Sequence, residues 1–513
     1  MDQRAKIPVS LPVTDPEPTT SYWQDPPDDE IGGANYRSPS DRESGQKYPS
    51  EADTVIVGSG ITGAAVGWGL LSRLKKPPKE ESGGDDDAGE TLLRREENKK
   101  KWEVVMLEAR GAVSGATGRN GGHTKAASYR SFEHHVGTLG LEEAKKIARL
   151  ELRNIEEVHA FIQEEGIKCE SMRGDTVDIV YDQAEWENSL RGVEMMRREF
   201  GNEKEGEYRI YDREEAMREL FAEDTEWNGQ KEEVKGAIRY AAGSLSAYKF
   251  GVGLLKMCLD RGMGLWTGAK VVKVETSAED GGSWKVKMEN GEEIRARRVV
   301  LATNGYTAAL VPDKFQEVIV PLRGQVTAQR PGRRMPNSGS LETTYSFIYD
   351  GGYEYMVTRP KGVGARFEGD VIMGGGLVRG EKSEGGMMEF GITDDSKLNE
   401  GISEYLRETT PRYFGKNWGE DNPDGRVRQE WTGIMGFSAD GLPLVGEVPG
   451  EKGLWVSVSF QGHGMVLCWM CAKALVEMME TENDGSNGLE AWLPDSFKIS
   501  EERLKKRFQG RFS

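Results

Sequence analysis

Thr54-Val55-Ile56-Val57-Gly58-Ser59-Gly60-Ile61-Thr62-Gly63 sets how the rest of this chain is read. A β-branched run feeds three glycines spaced Gly-x-Gly-x-x-Gly, and an amphipathic segment follows. In a strand–turn–helix unit, Gly58 makes the tight turn, Gly60 lets the backbone approach a pyrophosphate, and Gly63 lets the helix pack against the sheet. The helix opening at Ile61 and Thr62 then offers free N–H groups and the positive end of its dipole to phosphates. The pattern predicts a strand over 54–57 and a helix over about 62–74.

A dinucleotide reading requires an acid at the end of the second strand, about 20 residues beyond the glycines, to accept from the adenosine ribose hydroxyls. Val104-Val105-Met106-Leu107 reads as that strand and ends in Glu108. Glu108 lies 45 residues beyond Gly63, and setting aside the 27 residues from 75 to 101 leaves 18. That stretch carries Pro77-Pro78, Gly83-Gly84, Asp85-Asp86-Asp87 and Lys99-Lys100-Lys101, a composition that builds no core and reads as a surface insertion. An acid at 108 also disfavours a 2′-phosphate.

The 513 residues suffice for two or more domain-sized units. A net charge of −18 argues against nucleic acid or an anionic membrane as partner. No apolar run reaches the roughly 18 residues of a membrane helix. No basic-then-apolar leader opens the chain, and Gly510-Arg511-Phe512-Ser513 is not a peroxisomal address, so a cytoplasmic location is expected. Four cysteines make no disulfide framework, and Cys468 and Cys471 at helical spacing read as two thiols on one buried face; no metal site is expected. Residues 1–51, rich in Pro, Asp, Ser and Gly, read as a disordered or extended arm that Trp23 and Tyr36 could pin to the surface. Leu141 to about Gly166 reads as a long amphipathic helix, and Val299-Val300-Leu301-Ala302 as a buried parallel strand.

After Glu108 comes Ala109-Arg110-Gly111-Ala112-Val113-Ser114-Gly115-Ala116-Thr117-Gly118-Arg119-Asn120-Gly121-Gly122-His123. So long a glycine-rich loop supplies backbone N–H groups for a pyrophosphate and a second glycine cluster for a flat ring. Here the chain resembles the D-amino-acid-oxidase/glycine-oxidase superfamily of FAD-dependent oxidoreductases, and 116–122 resembles the variant of γ-glutamylputrescine-oxidase-like members. Three further segments extend the likeness over about 52–480. They are the returning strand with Thr303-Asn304-Gly305, the Asp440-Gly441 motif, and Gly462-His463-Gly464-Met465 at the start of the last helix. The resemblance implies FAD held by these residues, with the Val271 backbone at the adenine and the Gly-His-Gly turn at the flavin's pyrimidine edge.

Sarcosine-oxidase-like members carry a lysine where Val466 stands and attach the flavin through a cysteine near the Asp440 motif, yet no cysteine lies between Cys258 and Cys468. Related dehydrogenases attach it through a histidine at the position of Arg119. Non-covalent FAD is therefore expected, with His123 the remaining attachment candidate. Arg359, at the end of Tyr355-Met356-Val357-Thr358, is either a bidentate clamp for a substrate carboxylate or a structural ion pair. His463 reads as a flavin-edge residue, and His134 and His135 as structural or solvated.

The resemblance implies an α/β fold: a Rossmann-like FAD domain from 52–165, 240–320 and 425–480, and a substrate domain with an antiparallel or mixed sheet from 166–239 and 321–424. A tail or helix would follow over 481–513. It also implies oxidation of an amine or amino acid by hydride transfer to flavin N5, giving an imine, then a carbonyl compound and, with O2, hydrogen peroxide. Three alternatives stand beside this: a flavin dehydrogenase using another acceptor, a nicotinamide-only dehydrogenase, and a non-catalytic flavoprotein.

Overall fold

The computed structural model describes residues 2–38, 48–73, 102–277, 282–380, 386–480 and 488–510. The expected insertion at 75–101 lies outside them. The β-branched run forms the strand Glu51–Val57, centred in a parallel array. Glu293–Leu301 flanks it on one side and Trp102–Leu107 on the other. Leu454–Val458 and Gly264–Trp266 extend the array outward. Val55, Ile56, Val299, Val300 and Leu301 are buried, as parallel strands covered on both faces require.

One face packs against the helices Ile61–Arg73, Leu141–Glu164, Ala247–Asp260 and Cys468–Glu480. The other forms a second core in which Val55, Val105 and Leu107 meet Val271, Val286 and Phe315. Val271 opens a strand, Val271–Thr276, of the antiparallel pair that joins this sheet to Glu293–Leu301.

A second sheet of nine strands among the described residues is mixed. Its order runs Val427–Ser438, Ile319–Gln329, Val371–Gly374, Gly352–Thr358, Thr344–Tyr349, Met172–Val180, Gly236–Ser244 and His123–Lys125, with Arg209–Tyr211 also on Gly236–Ser244. Thr344–Tyr349 and Met172–Val180 pair in parallel, and the other ladders are antiparallel.

Two boundaries differ from expectation. Val427–Ser438 falls within the segment assigned to the FAD domain, but it runs antiparallel along the whole of Ile319–Gln329 and so belongs to the second sheet. His123–Lys125 likewise crosses to that sheet directly after the glycine loop. The leading arm also departs from a loosely attached chain. Tyr22, Trp23 and Ile31 are buried, and Ser38 and Leu265 exchange hydrogen bonds with each other. Its apolar residues are few, but Tyr22, Trp23 and Ile31 find slots in a core built by distant segments. Of the tail, Glu501–Lys505 is helical and docks Arg503 onto Asp440. Among the described residues, no helix is long and apolar enough to cross a membrane.

Candidate active site

A cavity of about 1220 Å³ runs from the carboxyl ends of the parallel strands to the second sheet. That exceeds the roughly 300–1,000 Å³ of ordinary ligand sites, leaving room for a dinucleotide and a substrate together.

At the strand end the walls are backbone. Gly58 adopts φ +104°, and a Cβ there would stand 2.7 Å from the Ala302 carbonyl oxygen. At Gly63 it would stand 2.0 Å from the Gly58 oxygen, so only glycine lets the helix close onto the turn. The Glu108 carboxylate accepts from the Ser59 N–H (3.1 Å), the Ser59 hydroxyl (2.6 Å) and the Arg110 N–H (3.1 Å). Ser59 Oγ also accepts from the Val113 N–H at 2.8 Å, and Thr117 Oγ1 accepts from the Ile61 N–H at 3.1 Å. Two hydroxyls thus tie the first glycine turn to the second loop. Ser59, which bonds both Glu108 and Val113, carries no sequence signal of its own between the glycines.

One buried carboxylate faces two guanidiniums under the loop. Buried Asp395 accepts two bonds from Arg110 (2.9 and 3.0 Å) and lies 3.5 Å from Arg119. Arg119 also donates to the carbonyls of Thr19 (2.8 Å) and Thr432 (2.9 Å).

Three amides fix the Gly-His-Gly turn. Asn304 Oδ1 accepts from the Ser459 N–H at 2.9 Å, Asn154 Nδ2 donates to the Met465 carbonyl at 3.2 Å, and Asn120 Nδ2 donates to Met465 Sδ at 3.5 Å. His463 lines the cavity beside this turn. Burial would raise the Asp440 carboxyl, but the Arg503 guanidinium outweighs it and holds the acid below its usual range.

At the far end Tyr355 is wedged between glycines: a Cβ at Gly121 or Gly374 would stand 2.2 or 2.3 Å from its ring. His123 shares a hydrogen with Thr344 Oγ1 at 2.6 Å; burial, then Lys125, push its pKa well down, so it is neutral. Lys125 Nζ donates to Asp178 and to Ser346 Oγ, each at 2.5 Å, and the Tyr129 and Tyr240 hydroxyls donate to the same carboxylate at 2.8 Å. Arg130 lies 5.2 Å from the Tyr353 ring centroid, is solvent-accessible and lines the cavity. Asp178 offsets Lys125, and the Arg130 guanidinium borders the cavity together with the carboxyl groups of Glu151 and Glu185.

Of the residues expected at the site, most border the cavity: Gly58, Gly60, Ile61, Thr62, Glu108, Ala109, Arg110, Gly115, Ala116, Thr117, Arg119, Asn120, Gly121, His123, Val271, Thr303, Asn304, Asp440, Gly441, Gly462, His463, Gly464 and Met465. Gly63, Gly118, Gly122 and Gly305 stand behind the wall, packed on backbone or side chains. Arg359 is also outside the lining. It is buried, pairs with Glu170 and lies 4.6 Å from the Trp23 ring, so it serves as a structural ion pair and not as a clamp reaching into the cavity. Lys125 and Arg130, which border it at the second-sheet end, follow the glycine loop and had no distinguishing sequence pattern. His134 and His135 border the cavity too. Cys468 borders the cavity, and burial pushes its thiol up to about 12.

A family model for FAD dependent oxidoreductases, DAO, matches residues 53–478. The chain is a member of the DAO family of FAD-dependent oxidoreductases. A probable oxidoreductase OrdL of Haemophilus influenzae is 23% identical over 232 residues, 45% of this chain and 50% of that relative, so the match spans half the relative's length. Glycine oxidase from Geobacillus kaustophilus shares the fold with a TM-score of 0.61 at 18% identity, over 88% of this chain and 99% of that one. L-Proline dehydrogenase from P. horikoshii gives 0.58 at 17% identity, over 87% and 98%. L-Amino acid deaminase from Proteus myxofaciens, in complex with anthranilate, gives 0.58 at 14% identity, over 90% and 95%. The residues present fit the FAD of this DAO protein: glycine walls for a pyrophosphate, an acid at the strand end for a ribose, and space at Gly115, where nothing lies within 4 Å of a Cβ.

Proposed function

We propose that this DAO-family protein oxidises the C–N bond of an amine or amino acid that carries an anionic group. The carrying observation is one continuous cavity, which joins a glycine cradle to a chamber bordered by the Arg130 guanidinium. Structural neighbours named as glycine oxidase, L-proline dehydrogenase and L-amino acid deaminase support the amine and amino-acid class. FAD, held non-covalently, supplies a two-electron acceptor for the substrate's C–H hydride. Arg130 grips the anion, with its guanidinium steadied over Tyr353. Tyr353 and Tyr355 wall the chamber and keep water from the reacting bond. Neutral His123 adds no charge there. Oxygen is the simplest final acceptor, yielding peroxide.

Purified protein carrying flavin would be mixed with a panel of amines and amino acids under nitrogen while flavin bleaching is followed. Parallel peroxide release in air separates oxygen from other acceptors. Bleaching by at least one carboxylate-bearing amine is expected. Flavin that is bound yet reduced by no amine or amino acid in the panel overturns the reading.

A further inference from the structure

The glycine loop is gripped from outside by the leading arm. Gly118 O accepts from Ser21 Oγ at 2.6 Å and from Gln24 Nε2 at 2.9 Å, and Asn120 O accepts from Trp23 Nε1 at 2.5 Å. Between those carbonyls, Arg119 donates to Thr19 O at 2.8 Å. A Cβ on Gly118 would stand 2.4 Å from the Gln24 amide, so the loop and the arm side chain interlock.

The arm is itself anchored on the second sheet and its connections. The Thr19 N–H donates to Asp395 O at 2.8 Å, the Thr432 N–H to Thr19 Oγ1 at 3.0 Å, and Gln429 Nε2 to Thr20 O at 2.7 Å. Tyr22 OH donates to Asp370 at 3.2 Å, and the Trp23 ring lies 4.6 Å from the Arg359 guanidinium. Residues 19–24 therefore bridge the loop and the sheet that walls the far end of the cavity.

The grip reaches the cavity through Asn120. Its carbonyl is held by Trp23, while its side chain accepts from the Gly122 N–H at 2.7 Å and donates to Met465 in the Gly-His-Gly turn. A loop rich in glycine has the most backbone freedom to lose on ordering, and external bonds to its carbonyls restrict it before any ligand binds.

We propose that residues 19–24 are a strap that preorganises the second glycine loop for FAD. Ser21, Trp23 and Gln24 act as positioning residues, since they hold the loop's outer carbonyls and lie outside the cavity lining. The proposal rests on the assignment of 115–123 as the flavin loop.

The test measures FAD affinity by titrating apo-protein, together with the melting temperatures of the apo and holo forms and the visible circular dichroism of bound flavin. The variants are Ser21→Ala/Trp23→Phe, Gly115→Val, and Gln316→Ala. The last removes an amide that holds the arm at Ala5 and Ile7, away from the loop. Losing two loop hydrogen bonds is expected to weaken FAD about tenfold. The apo melting temperature should fall only by the few degrees that two lost hydrogen bonds cost, the holo increment should shrink beyond that, and the flavin dichroism should change, with Gln316→Ala leaving the last two unaffected. Gly115→Val fills open cavity space and should abolish FAD binding without unfolding. If Gly115→Val binds FAD normally, the loop assignment fails and the strap falls with it. If Gly115→Val loses FAD but the double variant stays within about twofold of wild type, the strap alone is wrong. A fall in apo melting temperature that accounts for the whole loss of affinity also overturns it.

Discussion

Replacing Gly63 by alanine places a methyl group where backbone already sits. The new Cβ would stand 2.0 Å from Gly58 O and 3.1 Å from its carbon. An unstrained C···O contact needs about 3.3 Å, so about 1.3 Å must be opened between helix and turn. Neither side yields easily. Gly58 is held by its N–H bond to Leu107 O at 2.9 Å, and nine of the thirteen helix residues are buried. Forcing such a contact into a packed core costs about 1–3 kcal/mol. Relief moves the helix start off the phosphate site, so FAD affinity should fall by roughly tenfold or more. Gly67→Ala on the same helix is the control. Its Cβ would meet Met263 Sδ at 3.0 Å, the end of a flexible side chain. The gain in helix propensity of about 0.8–1 kcal/mol offsets that contact. Apo-protein melts and FAD titration monitored by flavin fluorescence measure both effects. Equal behaviour of the two variants, or a Gly63→Ala protein matching wild type in both assays, would refute the argument that this glycine sets the cradle.

Arg130→Gln should raise KM for carboxylate-bearing amines about 10- to 100-fold with kcat little changed, the loss of one charged hydrogen-bonding partner. Arg359→Gln should act on stability instead, because it strands buried Glu170 with only Lys249 opposite it; steady-state kinetics and denaturant melts separate the two. Burial pushes the Glu151 carboxyl up to about 7 despite the bond from Ser128. An unfolded glutamate titrates near 4.3, so the folded state holds this proton more tightly and stability falls as pH rises from about 4 to 7. The full penalty, on the order of 3 kcal/mol, stands above pH 7. Glu151→Gln should flatten that slope in denaturation curves taken between those limits. Acid precipitation of the holo-protein should release all flavin into the supernatant; yellow colour in the pellet would mean attachment, with His123 the first residue to test.

The readable parts of this chain were those governed by local rules. The Gly58–Gly63 spacing, the acid at 108 and the glycine run at 115–122 depend on turn geometry and backbone approach, so they show in order along the sequence. The strands Gly236–Ser244 and Val427–Ser438 did not show, because Gly-Ala-Ile-Arg-Tyr-Ala-Ala-Gly-Ser has weak β propensity and the second strand is interrupted by Gly433 and Gly436. Their partners, not their composition, make them strands.

Side-chain direction was the harder matter. Arg359 sits at a strand end and was the candidate to meet a ligand, whereas Arg130 had no pattern around it. Folding turns Arg359 into contact with Glu170 and Trp23 and aims Arg130 past Tyr353 into the cavity. Likewise the composition of residues 1–51 speaks for little core, yet folding supplies carbonyls at Gly118 and Asn120 that hold Ser21 and Trp23. Backbone approach to a dinucleotide is a property of a dozen neighbouring residues, and it was written in the chain from Thr54 onward. Which cation borders the cavity, and whether the arm is ordered, depends on groups more than a hundred residues apart, whose meeting only the packed fold brings about.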